Sequence, residues 1–398
     1  MLCLACGVTT FAQNNTNSPY SSFGYGELAY PGLAANKAMG GVGYGLRSNT
    51  AINTVNPAAY SSVDSMTVMF DFALSGRITQ FKEGSTRAGT TNGNLEYIAF
   101  QLPLIRNLGM SFGFTPFSVV GYTVTRKSLL TPDISQIETF TGTGGINQLY
   151  GGLAYKFLDR FSLGFDVNYA FGYVKQINYL EFEPSVATSS RITKNLQVSD
   201  VSLRYGAQAV VWKNNRHSLT LGATYKHKSV LNGTFEVTTE NTGTDTQTDP
   251  NFKFDLPTIA GGGAFYTYRN RLSAGFDYTR EQWADTRFYN VKDSLYNVNR
   301  FAAGVSYIPN PTSRNYFNRI KYSLGGNFAN SYVVDPANNY ALALGFGFPV
   351  RSAKSCINTV FEYGRNKVGS SSSLQEQYFK ITLSASISEF WFFKRRLE

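Results

Sequence analysis

Few residues in this chain have obvious chemical potential, and their surroundings decide what they can do. Gly109-Met110-Ser111-Phe112-Gly113 fits the G-x-S-x-G pattern of a nucleophile elbow, which needs a sharp strand-to-helix turn to expose the serine. Ser111 instead sits in an alternating run with no helical pattern after it, so an ordinary strand position is expected. His217, placed at a short turn, and His227, placed in a strand, are the only two histidines, too few for a metal centre or a Ser-His pair. Gly24-Tyr25-Gly26-Glu27-Leu28-Ala29 matches a relaxed dinucleotide fingerprint, yet no strand precedes it. Gly261-Gly262-Gly263 points to a bend or a close backbone approach. The chain therefore reads as a non-enzyme, with no cofactor and no metal.

What remains is a set of polar side chains spaced by twos among apolar neighbours: Asp71, Asp166, Asn168, Arg204, Lys226, Asp277, Lys321, Glu362 and Lys380. If the large apolar residues of the same strands face lipid, this set faces a common interior. There it can line a polar path, hold a ligand head group, or pair with itself and with the backbone of whatever fills the space. Pairing is the most ordinary of these, because buried polar groups need partners.

The elements that must position them are strands. In Tyr340–Phe348 every even residue is large and apolar and every odd one is Ala or Gly, which leaves room on the inner side. Phe161, Leu163, Phe165, Val167, Tyr169, Phe171 and Tyr173 alternate in the same way with small or polar residues. Aromatics make up 15% of the 398 residues and charged residues only 16%, the reverse of the usual soluble balance. A uniformly greasy face over segments long enough to cross a bilayer, about 9 to 11 tilted residues, gives an all-β fold: a transmembrane antiparallel barrel of about fourteen strands. The expected strands lie near 65–80, 94–104, 107–125, 145–157, 161–178, 197–212, 217–238, 254–268, 271–286, 297–308, 318–331, 339–349, 355–365 and 376–393.

Connections alternate in length. Those at Arg106-Asn107, Asp159-Arg160, 214–216, 269–271, 310–315 and 351–354 are short, whereas 127–144, 179–196 and 239–253 are long and lean acidic through Asp133, Glu138, Glu181, Glu183, Glu240, Asp245 and Asp249. Short periplasmic turns and long external loops put both chain ends in the periplasm of a bacterial outer membrane. The short turns carry Arg or Lys, suited either to anionic head groups of outer-membrane lipid or simply to water. The net charge of +10 does not by itself imply nucleic acid, and no nucleic-acid partner is expected. Tyr122, Trp212, Tyr266, Tyr268, Trp283, Phe288 and Trp391-Phe392-Phe393 fall near strand ends, as an interfacial girdle would.

Ahead of the strands lies Ala38–Tyr60, with Gly40, Gly41, Gly43 and Gly45 followed by Asn56-Pro57-Ala58. Glycine permits positive φ and close approach, and Pro57 keeps Asn56 out of the helical region, so an irregular plug is expected. The chain divides into a partial export signal over 1–12, a periplasmic lead-in and lumenal hatch over 13–64, and the barrel over 65–398. Leu4-Ala5-Cys6-Gly7 is also lipobox-like, and loss of Cys3 and Cys6 with the signal would leave Cys356 as the sole thiol.

Ala38-Met39-Gly40-Gly41-Val42-Gly43 followed by Asn56-Pro57-Ala58 resembles the N-terminal hatch motif of the long-chain fatty acid outer-membrane transporters of FadL/TodX type. The resemblance implies a fourteen-stranded barrel closed by that hatch, and passive passage of hydrophobic or amphipathic small molecules gated by it. The tail Trp391-Phe392-Phe393-Lys394-Arg395-Arg396 resembles a subgroup in which some members are accessory subunits of secretion or barrel-assembly machines. That implies an alternative: a non-transporting barrel that docks in an envelope protein complex.

Overall fold

The computed structural model describes residues 16–391 except 186, 242, 250–253, 289–290, 293–294, 334–337, 351–353 and 368–373. The expected export signal, with Cys3 and Cys6, and the tail from Phe392 to Arg396 lie outside the described residues.

The barrel strands are β1 (Thr67–Glu83), β2 (Thr86–Ile105), β3 (Leu108–Thr131), β4 (Ile134–Phe157), β5 (Phe161–Glu183), β6 (Ser190–Lys213) and β7 (His217–Lys226). The second half comprises β8 (Ile259–Tyr268), β9 (Leu272–Glu281), β10 (Val298–Tyr307), β11 (Lys321–Asn330), β12 (Asn338–Pro349), β13 (Cys356–Lys367) and β14 (Leu374–Phe390). Each pairs antiparallel with the next, and β14 closes on β1 from Leu374 opposite Glu83 to Phe390 opposite Thr67, giving fourteen strands with no free side. Closure matters because a bilayer offers no water to an unpaired backbone.

Alternation sorts the side chains as its period demands. Along β5, Leu163, Phe165, Val167 and Tyr169 are exposed to the outside, while Ser162, Asp166, Asn168 and Ala170 are buried within. The short turns are tight: Leu158 and Asp159, and again Arg269 and Asn270, take consecutive φ values of +50° to +54°, the mirror-type geometry that suits a twisted hairpin.

Three expectations are corrected. The long acidic loops are hairpins: β3 and β4 run 24 residues each and β5 and β6 run 23 and 24, more than twice a crossing length, against ten for β7 to β11. The strand expected over 217–238 stops at Lys226; Gly233–Glu240 pairs with β6 and with Thr244–Asp249, while Ser229–Leu231 pairs with Phe254–Leu256. His217 opens β7 rather than lying in the turn, stacked on Trp212 with its Nδ1 2.6 Å from the Tyr266 hydroxyl, and His227 lies just past the strand.

Among the described residues the wall parts in one place. β2 and β3 pair only as far as Ile98 opposite Phe114; above that β2 stays with β1 and β3 with β4. Pro116 has no N–H to give a neighbour, and the register slips between Pro116 and Ser118, so β3 bends away there. A lead-in strand, Glu27–Leu28, pairs with Val119 and Ser118 at the seam.

Leu324 is 58% exposed at the middle of β11. Leu324→Arg is expected to destabilise the barrel by about 2–4 kcal/mol in lipid vesicles, measured by denaturant unfolding, whereas the lumenal Ser323→Ala should leave the midpoint nearly unchanged.

Candidate functional site

Residues 33–62 carry one turn of helix, Ala34–Lys37, and a 3₁₀ turn, Pro57–Ser62. The rest is irregular backbone inside the barrel, and the wall supplies its partners. Asp277 on β9 accepts from the N–H groups of Gly43 and Tyr44 at 2.6 and 2.9 Å. Gln208 on β6 donates to the Tyr44 and Leu46 carbonyls, and Gln101 on β2 to that of Tyr60. Ser162 on β5 donates to the Ala58 carbonyl at 2.6 Å. Asn56 works in both directions: its Oδ1 caps Ala58 N–H, and its amide donates to the Tyr44 carbonyl at 2.9 Å and to Ala207 of the wall at 3.1 Å.

Approach this close needs inner positions without side chains. A Cβ on Gly109, Gly206, Gly222, Gly304, Gly325 or Gly345 would overlap Tyr60, Asn56, Tyr44, Met39 (Gly304 and Gly325) and Ala38 respectively. At Gly164 it would stand 2.7 Å from Pro57, and at Gly275 2.5 Å from Val42. Gly40 is the reciprocal case, with φ +71° and its would-be Cβ 2.5 Å from the backbone of Gly326. Gly45 packs likewise on Thr220 and Phe265, while Gly41, at φ +95°, faces open space.

The interior charges form bridges. Asp166 holds Arg204 and accepts from Asn168 at 2.6 Å and Tyr60 at 3.2 Å. Asp71 accepts from Ser386 and Tyr97, and Tyr97 Oη in turn accepts from Ala34 N–H. Lys380 pairs with Glu96 at 2.7 Å, and Glu96 also holds Lys37. Arg77 joins Glu27 of the lead-in to Glu376. Glu362 accepts from Tyr378. Among the described residues Lys226 and Lys321 make no ion pair; the Lys226 ammonium lies 5.9 Å from the centre of the Phe117 ring. Thus Gly40, Gly45, Asn56, Pro57 and Ala58 pack directly on the inner wall, Gly43 is held by Asp277, and Asp166 reaches the same segment through Tyr60, while Lys226 and Lys321 make none of these contacts.

Residues 16–30, expected from their polarity to be a periplasmic lead-in, make contacts with the barrel strands. Ser18 donates to Glu376, Tyr20 to the Leu374 carbonyl, and Ser21 exchanges two 3.1 Å hydrogen bonds with Gly121, all in the half of the lumen away from the short turns. Over them sits a second closure. Tyr25, Phe235, Phe254, Leu256, Trp283, Leu295 and Tyr332 are one buried cluster, with Trp283 rings 5.7 Å from Tyr25 and 4.9 Å from Tyr332. Trp283, Tyr122 and Phe288 therefore belong to this lid and not to an interfacial girdle; the indole N–H of Trp283 is satisfied by Glu281 at 2.7 Å. Asp255, fully buried, ties the lid together by accepting from Arg287 and Lys228 at 3.0 Å. Burial opposes its charge, but those two cations and the Arg287 N–H outweigh it and hold the carboxyl below its ordinary range. Between hatch and lid lies a cavity of about 350 Å³ lined by Arg77, Glu96, Arg300, Glu362 and Lys380 together with Leu28 and Tyr30.

A family model described as BamG matches residues 1–398. The chain belongs to the BamG family. No curated protein matches it in sequence. Its fold is similar to those of the toluene transporters TbuX of Ralstonia pickettii (TM-score 0.62, 14% identity, covering 91% of this chain and 99% of that one) and TodX of Pseudomonas putida (0.61, 15%, 92% and 100%). A FadL homologue of Pseudomonas aeruginosa is similar at 0.61 and 14%, covering 92% and 100%. This BamG-family chain is an outer-membrane barrel with the fold of those proteins.

Several residues that build the BamG-family lumen escape a reading of the sequence. Arg77 had a signal, since it continues the inner series Asp71, Ala73, Ser75. Glu27, Lys37 and Glu96 lacked one, because the first two lie in a two-residue strand and a single helical turn with no period to read, and Glu96 is itself the extra residue of a bulge on β2, opposite the step from Ala73 to Leu74 on β1.

Two outcomes are expected. In a Cys356→Ser background, Gly222→Leu should expel the hatch and raise maleimide labelling of Ala58→Cys, a fully buried position, at least tenfold over the same reporter with Gly222 intact. For the lid, a depressed carboxyl pKa gives stability that is complete above the ordinary value of 3.8 and lost as pH falls through and below it. Hydrogen exchange in 282–288 should therefore accelerate below about pH 4, and Asp255→Asn should produce the same loosening at neutral pH, on the order of 2 kcal/mol.

Proposed function

We propose that this protein is a non-transporting barrel that serves as a structural or docking subunit of an outer-membrane secretion or assembly complex. The observation that carries this reading is the double closure: a hatch seated on inner glycines and bonded to the wall, an aromatic lid above it, and a charged cavity between. A path for hydrocarbons would need a continuous apolar lining, and Arg77, Glu96, Arg300 and Lys380 interrupt it. Membership of the BamG family, at only 14–15% identity to the toluene transporters, agrees with this reading.

The second reading is a passive channel for hydrophobic or amphipathic molecules, gated by residues 38–60. It is favoured by the seam between β2 and β3, which only a two-residue strand and its neighbours fill from inside. TbuX and TodX, which share the fold, are toluene transporters.

Purification from the native membrane in mild detergent tests the first reading, with a stoichiometric protein partner as the expected result and a lone barrel with bound lipid as the contrary one. In parallel, vesicles holding the parent or a form lacking Gly40–Pro57 should take up a hydrophobic dye equally slowly. A severalfold rise in the deletion form would support the gated channel.

A further inference from the structure

The sheet formed by the outer halves of β3 to β6 stands clear of the membrane, because a crossing uses only about ten residues of each strand. One side of this sheet is extended by the hairpin Gly233–Glu240 and Thr244–Asp249. The other side is the edge of β3, bare above the seam. Up to Gly121 that edge is served by the lead-in: Ala29 N–H donates to the Phe117 carbonyl at 2.8 Å, Glu27 and Leu28 lie antiparallel to Val119 and Ser118, and Ser21 bonds both backbone groups of Gly121. By the two-residue repeat of a strand, the backbone groups of Thr123, Thr125, Lys127 and Leu129 point the same way as those of Gly121, and no described residue meets them. Beside them Leu129 and Leu130 are 74% and 61% exposed. The two strands that border the seam, residues 86–95 and 121–131, carry Arg87, Arg126 and Lys127 and no Asp or Glu. Lys127 reaches across to Glu183, and Arg126 has no ion-pair partner among the described residues.

We infer that the outer edge of β3, Thr123 to Leu129, is a strand-addition site that takes an extended acidic segment of a partner subunit, laid antiparallel where the lead-in leaves off. Backbone groups supply the affinity, Arg126 and Lys127 select acidic side chains, and the two leucines give apolar contact. The adjoining stretch already holds this chain's own strand in that manner. A long bare edge with exposed leucines is what isolated sheets avoid, so a cover is expected. The inference rests on the docking reading above and names the place where docking occurs.

The test uses the full chain in its native membrane, with a benzoylphenylalanine photo-crosslinker in place of Leu129. The expected result is one cross-linked polypeptide, joined through a segment rich in Asp or Glu. Thr125→Pro removes a backbone donor that faces outward and leaves the β3–β4 ladder intact, so heat-modifiable gel migration should persist while cross-linking falls at least tenfold. The double charge reversal R126E/K127E should reduce it similarly. Cross-linking to residues 13–15 of this chain, to the Thr244–Asp249 edge of a second copy, or unchanged yield in Thr125→Pro would overturn the inference. If the parent co-purifies with a partner that cross-links only from other faces, the docking reading stands and this edge does not. If no partner co-purifies at all, both fall.

Discussion

The interaction on which the rest depends is the satisfaction of irregular backbone inside a closed wall. Residues 33–62 have no ladder of their own beyond two short turns, and a buried N–H or C=O left unpaired costs about 1–3 kcal/mol. The wall answers with Asp277, Gln208, Gln101, Ser162 and Asn327, each aimed at a hatch backbone group. Those side chains reach only because neighbouring inner positions are glycine. The composition of the inner face, the irregularity of residues 38–62 and the packing of one on the other are one arrangement.

Much of this was legible. Period-two alternation in Phe161–Tyr173 and Tyr340–Phe348 marks two unlike faces, the uniform greasy side over bilayer-crossing lengths assigns one of them to lipid, and the alternating short connections support the strand count. The inner small residues foreshadowed something packed against them. Less legible was anything held by contacts distant in the chain. Trp283 near a strand end looks like an interfacial anchor, and only the arrival of Tyr25 and Tyr332, roughly 258 positions before and 49 after it, makes it the floor of a lid. The acidic stretches read as loops because hairpins outside the membrane lose the lipid-facing half of the pattern: in Thr139–Gly144 no greasy alternation survives, although the pairing does.

The wall itself has two heights, and this organises the molecule laterally. Strands of ten residues suffice on the β7 to β11 side, while β3 to β6 continue upward and bend at Pro116. A barrel that only sealed itself would gain nothing from the surplus. Here the surplus carries the inner faces of Tyr122, Ile146, Val174 and Leu196 that the lid packs against, so height on one side and closure on top are linked.

The contact of hatch and wall through glycine also has a hereditary meaning. A lipid-facing leucine can drift to another apolar residue alone, because its neighbours are fluid. Gly222 or Gly304 cannot gain even a methyl group unless Tyr44 or Met39 moves in the same lineage, and those moves disturb other strands that touch the same few residues. Lipid-facing positions and the inner glycines that touch Tyr44 or Met39 are therefore constrained differently, the first singly and the second through their neighbours.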